Sequence, residues 1–123
     1  MNVEDHEADP AATLWRAYLR VYDRLESLTD DPDAATDRRE IGDLIDRARC
    51  LMADLSFAKP TTPLGAVASL YAAKHFAAEA QDTTNAQARD SLHRAVERCV
   101  EAALSVLEPR AQEARAQMVS SQG

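Results

Sequence analysis

The sequence predicts an all-α fold, a single-domain antiparallel four-helix bundle with a short C-terminal helical extension. Three features lead there. Its 123 residues contain 3 glycines and 5 prolines, too little turn material for the many tight connections of a sheet protein. Apolar residues recur at three and four residues through most of the chain. The interruptions of that pattern are short, so consecutive helices return as antiparallel neighbours. The expected organisation is a disordered stretch over 1–8, the bundle over 9–109, and a frayed helical or disordered tail over 110–123.

Asp9-Pro10 is a helix start, because the carboxylate accepts free amides at the N-cap and proline suits the first helical position. The first helix is predicted to run to about Leu28. Leu14, Tyr18, Val21, Tyr22, Leu25 and Leu28 form its apolar face, which Trp15 and Leu19 widen. Arg16, Arg20 and Arg24 occupy the opposite side, and Thr29-Asp30-Asp31-Pro32-Asp33 ends it.

Thr36 is the expected cap of the second helix, with Ile41, Leu44, Ile45, Ala48, Leu51, Met52 and Leu55 on one stripe. Lys59-Pro60-Thr61-Thr62-Pro63 closes that helix and opens the third, Thr62 capping and Pro63 in the first turn. The third helix, Pro63 to about Gln81, is apolar all round its axis, so part of it is expected to face a second subunit or another protein.

Asp82-Thr83-Thr84-Asn85 makes the last connection. The fourth helix is predicted to reach about Leu107, with Ala88, Leu92, Val96, Cys99, Val100, Ala103 and Leu107 inward. Glu108-Pro109 is expected to kink or stop it. Arg110 to Met118 reads as helix-prone without an apolar stripe, fraying into a disordered Val119 to Gly123.

Composition narrows the function classes. A formal net charge of −7 opposes general attraction to nucleic acid or anionic membranes. The first residues do not resemble a secretion signal, and no apolar run is long enough to span a bilayer, so the expected location is the cytoplasm. Lys59 and Lys74 are the only lysines, a bias expected of a chain from a GC-rich bacterial genome. In a reducing compartment Cys50 and Cys99 are expected to be buried small hydrophobes.

His75 is the candidate for chemistry, although its spacing from Tyr71, Val67 or Ala68, and Leu64 places it on the expected core face of the third helix. A bundle histidine can accept a phosphoryl group, as in histidine phosphotransfer domains. Here Lys74-His75-Phe76-Ala77-Ala78 lacks the lysine and small glycine that usually follow the reactive residue in those modules. A carboxylate-bridged metal bundle is the other possibility, from Glu79 four residues after His75 and His93 three after Asp90. That pattern lacks the inward glutamates it needs, with Glu26 off the core face. Cys50 and Met52 point about 200° apart on a helix and do not converge on one soft metal ion with Cys99. Gly42 and Gly65 stand alone inside helix patterns and make no phosphate loop. Neither a cofactor nor a resident metal is expected.

The residues therefore point first to a non-catalytic module that binds another protein or a second copy of itself. Its expected contact residues are Leu70, Tyr71 and Phe76, with Lys74 and His75 beside them. An enzyme or phosphorelay component using His75 is the rival, favoured if that imidazole opens to solvent beside a concave surface. A metal-binding bundle is the third class.

Overall fold

In a computed structural model, which describes residues 9–30 and 38–122 (side chains to residue 120), the chain is an all-α four-helix bundle. Helix α1 spans Pro10–Asp30, α2 Arg38–Leu55, α3 Pro63–Gln81 and α4 Ala86–Gln122. The expected cap Thr36 and the stretch 1–8 lie outside the described residues.

Local chemistry accounts for the helix ends. Asp9 Oδ1 accepts the Ala12 amide at 3.1 Å and so caps α1. Thr62 caps α3, its hydroxyl accepting the Gly65 amide at 3.2 Å while Pro63 occupies the first turn. Asn85 Oδ1 accepts the Ala88 amide at 3.0 Å at the start of α4. Past α2, the Ser56 amide donates to Met52 and Ala53, closing the helix in a turn.

Two antiparallel hairpins, α1 with α2 and α3 with α4, make the closest pairings. The hairpins meet chiefly where α1 lies beside α3, and the sequence neighbours α2 and α3 touch little. Because the Asp9 cap of α1 binds the Thr62 cap of α3, these two helices begin at the same end and run parallel. Their contact is close because it is built from small side chains: Ala11 and Ala12 are buried on α1, and Gly65, Ala66, Ala68, Ser69, Ala72 and Ala73 on α3. The core adds Met52 and Leu55 from α2, Phe76 from α3, and Ala95 and Cys99 from α4. The Ser69 hydroxyl is buried there without a hydrogen-bond partner among the described residues.

Three expectations are corrected. The fourth helix does not stop at Pro109 but continues to Gln122, with every residue from Glu108 to Ser120 exposed. Proline removes one amide donor there, and on an exposed stretch the carbonyl one turn back keeps access to water. Cys50 is exposed on the outer side of α2, while Cys99 is buried as expected and burial pushes its thiol up against the opposing pull of Arg98. His75, placed inward from its spacing, lies on the surface.

Candidate functional site

Helix α3 carries the candidate site because it is built small inside and large outside. Its buried stripe holds glycine, alanine and serine together with Phe76, which is 9% exposed. Its outward side holds Leu64, Val67, Leu70 and Tyr71, with 41–50% of their surfaces open to solvent. The predicted core face was displaced by one position. Counting apolar residues does not separate alanine from leucine, whereas close approach to α1 and α4 does.

Leu70, Tyr71, Lys74 and His75 thus share one exposed side of α3. Phe76 does not join them; it sits in the core beside Ala72, Ala95 and Cys99, which removes it as a surface anchor.

Tyr71 connects this side to α1. Its ring stacks on Trp15 with centroids 5.1 Å apart and planes 13° from parallel. Trp15 stacks on Tyr18 at 5.5 Å and Tyr18 on Tyr22 at 6.3 Å. The result is a file of four rings, with Tyr71 and Tyr22 exposed at its ends and Leu19 and Val67 exposed one helical turn from its members. Burial, reinforced by Tyr22, pushes the Tyr18 phenol above its ordinary range, so it stays a neutral hydroxyl at physiological pH. Trp15 and Tyr18 pack partly buried against the core, as the α1 spacing predicts, while Tyr22 of the same apolar face is exposed. The sequence signal for the file is the width of that apolar face, which Trp15 and Leu19 extend.

His75 stands at the other border of the α3 surface. Its side chain is 44% exposed, with Nε2 3.8 Å from Glu79 Oε2 and the ring edge-on to Phe76. Arg49, Met52, His75, Phe76, Glu79 and Leu92 line a hollow of about 530 Å3. An open imidazole beside a concave surface is therefore present.

A second hollow, about 600 Å3, opens between the α2–α3 connection and α4. Arg98 crosses it, with its guanidinium 4.0 Å from the centre of the Phe57 ring and hydrogen bonds to the Ser56 carbonyl at 3.4 Å and hydroxyl at 3.3 Å. The basic row on α1 is partly neutralised, since Arg24 Nε donates to Glu40 Oε1 at 2.9 Å. Among the described residues no three His, Cys, Asp or Glu side chains gather as a metal-binding group. None of the described helices is long and apolar enough to cross a membrane. Comparison of the chain with protein-family models, with curated proteins and with solved structures found no match.

Proposed function

We propose that this chain is a non-catalytic cytoplasmic module that binds another protein through the surface shared by α3 and α1. Leu70 and Tyr71 are its central contacts, Trp15 and Tyr22 extend it, and Lys74 and His75 supply its polar border. The observation that carries this reading is the inversion on α3: small residues take the interior and Leu64, Val67, Leu70 and Tyr71 remain outside. Contiguous aromatic and aliphatic surface of this kind gains by leaving water, and aromatic anchors dominate the energy of protein interfaces. The net charge of −7 favours a partner with a basic rim over a nucleic acid. A free, exposed Cys50 fits a reducing compartment. The test is recovery from native lysate with the wild type and with Tyr71→Glu. A partner retained by the first and lost by the second, with equal helicity, supports the surface; equal recovery removes it.

One observation favours a second reading, a phosphotransfer or other catalytic role for His75. The imidazole is open beside the hollow that contains Arg49, whose guanidinium suits an anion. Incubation with a small phosphoryl donor tests it: acid-labile phosphate that is absent in His75→Gln supports the reading, and an unlabelled wild type eliminates it.

A further inference from the structure

The exposed end of α4 has a feature that arises only because the helix passes through Pro109. Continuity places Leu104, Leu107, Ala111, Ala114 and Met118 in one register, at alternating intervals of three and four residues. That is the a and d spacing of a two-stranded coiled coil. Leu104 is 46% and Met118 65% exposed, and the helix from Glu108 to Ser120 projects roughly 20 Å past the bundle at about 1.5 Å per residue. Every residue of this end is exposed, so it lacks the packing from which most helix stability in proteins comes, and a partner along the stripe would stabilise it. At about 100° per residue the stripe lies on the flank of α4, roughly a quarter turn from the Cys99 and Ala103 side buried against the bundle. Pro109 falls on the side away from the stripe.

The flanking charges identify the partner. Glu108 and Arg115 both occupy the position following d, and Arg110 the position preceding a. When two copies lie antiparallel, like flanks face each other, so Glu108 of each copy meets Arg115 of the other, twice per pair. When they lie parallel, opposite flanks meet and Arg110 confronts Arg115 twice, which is repulsive. The antiparallel register also sets Leu107 against Met118 and Ala111 against Ala114, filling the ends of the seam with large side chains and its centre with small ones.

The geometry points to a homodimer in which the projecting ends of α4 from two copies of this chain pair antiparallel. This surface is separate from the α1 and α3 face, and the inference does not depend on the function proposed for that face.

Sedimentation velocity of the full chain over a range of concentrations tests it, with four proteins compared. The wild type should show a monomer–dimer equilibrium that Ala111→Glu abolishes without loss of helicity. Arg115→Glu should weaken the dimer roughly fivefold or more by replacing both attractions with repulsions. Glu108→Arg combined with Arg115→Glu should restore it. A wild type monomeric at every concentration, a dimer indifferent to Ala111→Glu, or one unchanged or strengthened by Arg115→Glu would overturn the proposal, strengthening being the mark of a parallel pair.

Discussion

The carboxylate of Asp9 is completely buried and holds the N-terminus of its own helix together with that of Thr62, more than fifty residues away. Oδ1 accepts the Ala12 amide in α1. Oδ2 accepts the Thr61 amide at 3.2 Å, the Thr62 amide at 3.0 Å and the Thr62 hydroxyl. One negative charge thus serves the positive ends of two parallel helix dipoles, and it sets the contact between the two hairpins.

Burial by itself would raise the Asp9 carboxyl, but the donors from Thr62, Ala12 and Thr61 outweigh it and the net shift is downward. A depressed folded-state value stabilises the fold above the unfolded value of about 3.9, and the contribution disappears as pH falls through the folded value. Asp9→Asn turns an amide NH2 or a single oxygen toward donors, and is expected to cost about 2 kcal/mol at pH 7. Urea titrations at pH 7 and pH 3 check this. The gap between wild type and variant should narrow in acid, and a constant gap would contradict the carboxylate's role.

Gly65 and Gly42 should respond oppositely to alanine. A β-carbon on Gly65 would collide with the Asp9 carboxylate, whereas one on Gly42 meets nothing within 4 Å. Gly65→Ala is expected to lose about 2 kcal/mol by displacing the clamp. Gly42→Ala, in an exposed helix, should gain about 0.5–1 kcal/mol. Thermal unfolding of both variants reads the contrast.

Truncations on neighbouring sides of α3 test which of them is core. Phe76→Ala should destabilise by about 3 kcal/mol, since the ring fills space beside Ala95 and Cys99. Leu70→Ala should cost about 0.5 kcal/mol or less, because much of Leu70 is already in water. Comparable losses at the two positions would mean that α3 is oriented differently.

Trp15 is the single tryptophan and reports on the ring file. Tyr71→Ala removes the ring stacked on one side of it, so the emission of Trp15 should shift to the red with a stability loss of about 1 kcal/mol. An unchanged spectrum in the folded variant would contradict the stack.

Much of the scaffold was legible along the chain because its determinants are local. Asp9-Pro10 and Thr62-Pro63 carry their capping chemistry within four residues, and α3 begins and ends where its proline and its polar connection place it. Of the kink or stop expected at Glu108-Pro109 the stop does not occur, because proline alone does not end a helix whose exposed carbonyls have access to water. The candidate site was less legible. Leu70 and Tyr71 lie at the surface, as the apolar excess of α3 suggests, whereas Phe76 goes to the core; Trp15 and Tyr18 pack against the core as their spacing predicts, and Tyr22 stays exposed.

Composition and spacing alone dictate that there are helices, where most of them start, and that α3 is apolar round its whole axis. Tertiary structure decided which side of α3 goes inside. Packing rewards the side chains that allow backbones to approach, so Gly65, Ala68 and Ala72 took the interior and Leu64, Val67 and Tyr71 were left at the surface. It also decided that Asp9 reaches past its own helix to Thr61 and Thr62, a relation between distant residues to which no local spacing is sensitive.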